Sequence, residues 1–148
     1  MINAEVVHAA GAGLGEGCVW SPIENLLIWV DINGQAVHRF DHSTGRPVGL
    51  WRYTDTVGNA APRAGGGLAL GLGSSVALTD RVGAVETTIE LPGEPESNRT
   101  NDGAVDPRGR LFQGTMSHAE PGAPVASLYR VDGDGAARRV LSEVMISN

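Results

Sequence analysis

The sequence predicts an all-β fold built from about three blade-like units of a β-propeller, and three observations lead there. The 148 residues include 21 Gly, 41% apolar residues and only 5% aromatics, a mixture that suits many tight turns around a core rather than a helical bundle. No window holds apolar residues at i, i+3, i+4 and i+7 between caps; short β-type runs closed by Gly, Pro, Asn or Asp recur instead. The chain also repeats itself. Trp20-Ser21-Pro22 and Val105-Asp106-Pro107, 85 residues apart, each join a short strand to a Pro turn and a long strand. With a weaker unit between them the period is roughly 40–45 residues, the size of a blade of four short strands. A small β-sandwich is the other architecture that fits this length.

The first unit covers roughly residues 14–60. Val19-Trp20 open it as a strand, and Ser21 to Asn25 turn the chain. Leu26–Asp31 form a strong strand whose unbroken apolar run predicts cover on both faces. Asn33-Gly34 is a hairpin dipeptide. Ala36–Phe40 and, after the turn at Asp41–Gly45, Val48–Tyr53 complete the unit. The second unit, roughly 61–100, is weaker: AAPRAGGG reads as a loop, and Gly67–Leu70, Ser75–Leu78 and Ala84–Ile89 read as strands. In the third, roughly 101–148, Ala104-Val105 lead into Asp106-Pro107-Arg108-Gly109, a type I turn with Asp, Pro and Gly at favoured positions. Arg110–Met116 form the long strand, Ala126–Val131 the next, and Ala137–Leu141 follow the turn at Asp132–Gly135.

Composition excludes several classes of function. A net charge of −6, with every positive residue an Arg, offers no basic stripe for nucleic acid. The single cysteine, Cys18, excludes an internal disulfide and reads as a buried structural thiol. The N-terminus lacks a positive region ahead of an apolar core, and no stretch approaches the ~20 apolar residues of a membrane span. The expectation is therefore a cytoplasmic protein without a membrane partner. His8, His38, His42 and His118 lack metal-ligand spacing. Trp20, Trp29 and Trp51 read as core, and Gly65-Gly66-Gly67 lacks the Lys of a phosphate loop.

If the units are blades, the segments leading into their first strands share one end of a central channel. These segments are Leu14-Gly15-Glu16-Gly17, Arg99-Thr100-Asn101-Asp102-Gly103 and Ile146-Ser147-Asn148. In an extended segment Arg99 and Asn101 point to one side, and Asn98, Thr100 and Asp102 to the other. Glu16, between glycines, suits metal coordination, and with an amide oxygen such as that of Asn148 makes a hard, oxygen-rich site. On spacing alone Glu16 also reads as an exposed loop carboxylate, and Arg99 with Asn101 as a surface Arg beside an Asx-type turn. Asp102 reads as turn chemistry; Asp31, Asp41, Asp106 and Asp132 read as strand-end or turn residues.

Four stretches resemble the senescence marker protein/gluconolactonase/luciferin-regenerating enzyme family, which takes in the regucalcin-like sugar lactonases. They are LGEGCVWSPIENLLIWVDI at 14–32, NRTNDGAVDPRGRLFQGTM at 98–116, SLYRVD at 127–132 and ISN at 146–148. The resemblance implies a six-bladed propeller with one divalent metal in its channel and hydrolysis of a sugar-acid lactone. It implies Glu16 and Asn148 as metal ligands, and Arg99 and Asn101 as the substrate-binding pair. The family's third ligand, an Asp that also serves as its proposed general base, falls beyond residue 148, so the resemblance assigns no catalytic base within the chain. Calcium is the expected ion, with zinc, manganese, magnesium or iron also compatible with such ligands. Glu120 stands near the family's further substrate contact, and Cys18 stands where the family usually has Pro. The chain thus reads as the N-terminal half of such a propeller, truncated and inactive alone. Two other readings are a non-catalytic calcium- or ligand-binding propeller, and a half-propeller completed by self-association through its exposed face.

Overall fold

The computed structural model describes residues 3–148. Twelve strands form three antiparallel four-stranded sheets, each a meander whose strands pair in sequence order. The first sheet holds β1 (Gly15–Ser21), β2 (Leu26–Asp31), β3 (Ala36–Asp41) and β4 (Arg46–Arg52). The second holds β5 (Val57–Pro62), β6 (Leu68–Leu72), β7 (Ser75–Thr79) and β8 (Val85–Glu90). The third holds β9 (Asn98–Val105), β10 (Leu111–Ser117), β11 (Ala126–Val131) and β12 (Ala137–Val144). No helix occurs among the described residues, and so none is long and apolar enough to cross a membrane. The first strand of each sheet, β1, β5 and β9, neighbours that of the next, so β1 to β4 run outward from a shared axis. The backbone N–H of Thr100 on β9 donates to the Gly73 carbonyl at 2.6 Å, tying the second and third sheets together near that axis.

The core lies between sheets and follows the two-residue period of strands. Leu26, Ile28, Val30 and Val37 of the first sheet meet Val57, Ala60, Leu68, Leu70 and Ala77 of the second. The alternate residues Ala61, Ala69 and Val76 point the other way, onto Leu111, Tyr129 and Val131 of the third. The middle sheet is therefore buried on both faces, which its small and aliphatic residues permit.

The structure departs from the sequence expectations in four places. First, β5 runs through Ala60-Ala61-Pro62, which the composition reads as loop. Alanines have weak strand propensity, but here they fit a crowded axial position, and Pro62 sits at the strand's end, where its missing N–H costs no ladder bond. β5 also begins at Val57, inside the span ascribed to the first unit. Second, β9 is one continuous strand from Asn98. Third, β2 is not covered equally on both faces: Leu26, Ile28 and Val30 are buried, whereas Leu27 and Trp29 are half-buried. Trp29 stacks on His38, with ring centroids 4.9 Å apart, and meets His8 edge-on at 6.1 Å. Trp20 is 41% exposed rather than core. Fourth, Asp31 pairs with Ala36, so Asn33-Gly34 sit inside a four-residue loop with Gln35 at φ 53° instead of forming a two-residue turn.

Tyr53 closes the gap between the first two sheets, and its hydroxyl donates to the Gly83 carbonyl at 3.0 Å. Burial, with a smaller contribution from the Asp80 carboxylate, pushes its phenol up to about 12. The neutral phenol is thus favoured in the fold. This contribution to stability is complete below the ordinary tyrosine value of 10 and is lost as pH rises from there through about 12. In an absorbance titration, the difference between the wild-type chain and Tyr53→Phe is expected to show the tyrosinate step near pH 12. A step near 10 would contradict this placement.

Candidate functional site

Residues far apart in sequence meet at one end of the axis. A cavity of about 440 Å³ is lined by Glu16, Cys18, Arg99, Asn101, Asp102 and Asn148, with Leu14, Ile32, Met116 and Ile146 as apolar wall. Two irregularities in the strands aim these side chains. In β1, Glu16 pairs with Val30 and Val19 with Ile28, leaving Gly17 and Cys18 as a bulge opposite Trp29. Gly17 has φ +59°, a conformation that costs glycine little and other residues more. In β9, Thr100 pairs with Thr115 and Gly103 with Gln113, so Asn101 and Asp102 bulge opposite Gly114. A bulge breaks strict alternation. That is why Asp102 also lines the cavity, where alternation alone sends it to the opposite face with Thr100.

The polar contacts are directional. An Arg99 guanidinium N–H donates to Asn101 Oδ1 at 2.8 Å and to the Thr100 carbonyl at 3.0 Å. Arginine has no acceptor, so this contact fixes which end of the Asn101 amide is oxygen. The Asn101 amide nitrogen then donates to the Ser147 carbonyl at 2.7 Å and to Asn148 Oδ1 at 3.2 Å. Burial draws the Arg99 guanidinium below its ordinary range, and the nearby Glu16 carboxylate opposes that shift. Asn101 is buried and Arg99 half-buried, while Glu16 and Asn148 are exposed to the cavity.

The chain's last residues are held by a bridge between Met116 and Ile146 and by close packing of Ser147 on Gly114. A Cβ on Gly114 would overlap the Ser147 side chain. Gly114→Ala is therefore expected to displace residues 145–148 and speed their amide exchange about tenfold, with Gly114→Ala/Ser147→Gly restoring protection. Exchange unchanged by the single substitution would show that Gly114 does not seat this segment.

Of the residues that the sequence points to, Glu16, Arg99, Asn101 and Asn148 come together in this cavity. Glu120 does not: it sits in an exposed turn, its N–H donating to Ser117 Oγ at 2.9 Å. Cys18 is exposed, not buried, because the β1 bulge turns it toward the cavity. Asp31 has a larger part than that of a strand-end residue. The residue is 7% exposed, and its carboxylate accepts from the backbone N–H groups of Gly13, Leu14 and Gly34 at 3.0, 3.0 and 2.9 Å. Burial pushes that carboxyl up, but the three N–H donors outweigh it and hold it below its usual range.

The donor chemistry bears on the implied metal. Glu16 has no ion-pair partner within salt-bridge distance among the described residues, and it shares the cavity with the amide oxygen of Asn148. A carboxylate with an amide oxygen is the hard, neutral-to-anionic set that divalent calcium, magnesium or manganese favours. No group of three or more His, Cys, Asp or Glu side chains suited to a metal occurs among the described residues, so these two donors would be part of a ligand set.

A model of the SMP-30/gluconolactonase/LRE-like region matches residues 14–148. The chain belongs to this family. Regucalcin of Danio rerio is 34% identical over 148 residues, which is 99% of this chain and 50% of that protein. The 6-deoxy-6-sulfogluconolactonase of Pseudomonas putida is 36% identical over 136 residues, 91% of this chain and 46% of the relative. Among solved structures, a calcium-binding protein, regucalcin, from Agrobacterium tumefaciens superposes with a TM-score of 0.84 at 26% identity, over 95% of this chain and 47% of that one. The chain thus spans about half the length of the relatives it matches. Three blades over half a relative's length correspond to half of a six-bladed β-propeller, which settles the architecture against a sandwich.

Proposed function

We propose that the protein built on these blades hydrolyses the lactone ring of a sugar acid with the aid of one divalent cation. The reading is carried by one observation: Glu16, Arg99, Asn101 and Asn148, which the family resemblance singles out and of which strand alternation already aims Arg99 and Asn101 to one side, line a single cavity. Family relatives named as lactonases support the reaction class, and the likeness to the calcium-binding Agrobacterium protein supports calcium as the ion.

Glu16 and Asn148 would hold the cation, and a bound cation supplies Lewis-acid polarisation of the ester carbonyl. Arg99, whose burial strengthens its hydrogen bonds, orients the ring by a hydroxyl or carbonyl oxygen. Asn101 accepts from a ring hydroxyl through the lone pair that Arg99 leaves free. Water adds to the carbonyl carbon, the ring C–O bond breaks, and the open hydroxy acid leaves. The proton of that water goes to a carboxylate that we place outside these residues, which then returns it to the departing ring oxygen as the C–O bond breaks. These blades alone are accordingly inactive, and the protein works in the cytoplasm, without nucleic acid or membrane.

The test is a panel of aldonolactones given to the full-length protein before and after chelation. Hydrolysis that stops with EDTA and returns with one added divalent ion supports the reading. Ion binding without hydrolysis of any lactone would instead establish a calcium-binding role, the reading that the regucalcin relatives favour. For the isolated blades we propose self-association, since Trp20, Leu141 and Met145 are 41%, 57% and 58% exposed. A single monomer mass at every concentration would exclude it.

A further inference from the structure

We propose that Asp31 is a positioning residue that fixes the Glu16 backbone for cation binding, by clamping the glycine-rich segment before it to the end of β2. The inference rests on the reading of the cavity given above.

Glu16 lies in GAGLGEG, where Gly11, Gly13, Gly15 and Gly17 alternate with other residues. Each glycine enlarges the conformational freedom that must be lost when the segment is ordered. β1 is the first strand of its sheet, with β2 as its only ladder partner among the described residues, and the β1 bulge begins just after Glu16. The ladder therefore secures Glu16 weakly by itself. Asp31 adds what the ladder lacks. One carboxylate oxygen accepts from Leu14 N at 3.0 Å and the other from Gly13 N at 3.0 Å. Ile32 N donates to the Leu14 carbonyl at 3.0 Å from the same corner. The carboxylate is itself fixed by Gly34 N at 2.9 Å. Three charge-assisted bonds to a buried acceptor make a stiff joint two residues from Glu16. Groups hydrogen-bonded directly to a metal ligand govern affinity by about 10–100-fold, and this clamp acts one step further back, on the backbone that carries Glu16.

Gly34 provides a second handle. A Cβ at this position would overlap the Asp31 carboxylate, and the backbone there is not in the left-handed region, so Gly34→Ala pushes the carboxylate aside without backbone strain. The experiment uses the full-length protein with Asp31→Asn, Gly34→Ala and Glu16→Gln. It measures Mn²⁺ affinity by calorimetry and amide exchange at Gly13 and Leu14. The expected result is an Mn²⁺ dissociation constant raised about 10–100-fold in both Asp31→Asn and Gly34→Ala. Exchange at Gly13 and Leu14 should quicken in the same two variants while the β2–β3 ladder stays protected. Glu16→Gln should abolish Mn²⁺ binding and leave the exchange slow, a pattern that a purely structural Asp31 does not produce. If Asp31→Asn fails to fold, Gly34→Ala carries the test. Wild-type Mn²⁺ affinity in the folded clamp variants, with binding lost in Glu16→Gln, overturns the positioning role alone. Mn²⁺ binding untouched in Glu16→Gln overturns the cavity reading and the inference with it.

Discussion

Glu16→Gln is expected to lower lactone hydrolysis by the full-length protein at least about a hundredfold, since removing a partner of a metal ligand already costs 10–100-fold and here the ligand itself is lost. The substitution keeps shape and removes charge. Glu16 is exposed to the cavity and makes no ion pair among the described residues, so stability should change by less than about 0.5 kcal/mol. The guanidinium of Arg99 would lose the nearby negative charge that opposes its burial. The loss should therefore appear in cation affinity and kcat while the thermal midpoint holds. Steady-state kinetics across cation concentrations, beside a melting curve, checks both. Hydrolysis at the wild-type level would remove Glu16 from the site.

Tyr129→Ala is expected to destabilise the fold by about 3–5 kcal/mol, the usual cost of deleting a buried aromatic ring. Tyr129 is 0% exposed and packs in the cluster between the second and third sheets. Its hydroxyl lies 2.8 Å from Glu94 Oε2 and accepts from Arg139 Nε at 3.2 Å. Arg139 also donates to the Pro92 and Gly93 carbonyls at 3.1 and 2.6 Å, so the ring and its partners bind the connection between β8 and β9. Tyr129→Phe keeps the ring and should cost only about 1–2 kcal/mol, leaving Glu94 and Arg139 without a shared partner. Urea unfolding of the three proteins measures the series. Equal costs for Ala and Phe would mean that the hydroxyl network, not the packing, holds this junction.

Much of this was legible in the sequence, for physical reasons. Long strands such as β2 and β10 announce themselves by β-branched and aromatic residues between turn signals. β5 does not, because Ala-Ala-Pro answers to crowding around the axis, a property of neighbours that local propensity cannot contain. Convergence of the lead-in segments follows from repetition: like units placed around an axis bring like positions together. The bulges escape this logic. Each depends on a cross-strand register, and each redirects a side chain, Asp102 in one case and Cys18 in the other. A glycine inside a strand, as at Gly114, was the available sign that another segment packs closely, here through the Ser147 side chain. Asp31 gave no sign beyond its place at a strand's end, since its partners lie 17 and 18 residues back along the chain.

The Asn101 amide carries a final chemical implication. Both of its hydrogens are spent on the chain's own oxygens, so toward a visitor it can receive a hydrogen but offer none. A sugar that presents a free hydroxyl there finds a partner. Its methyl ether, the same size within one carbon, would bring two lone pairs face to face, and discrimination between the two would come from an absence of donors rather than from shape.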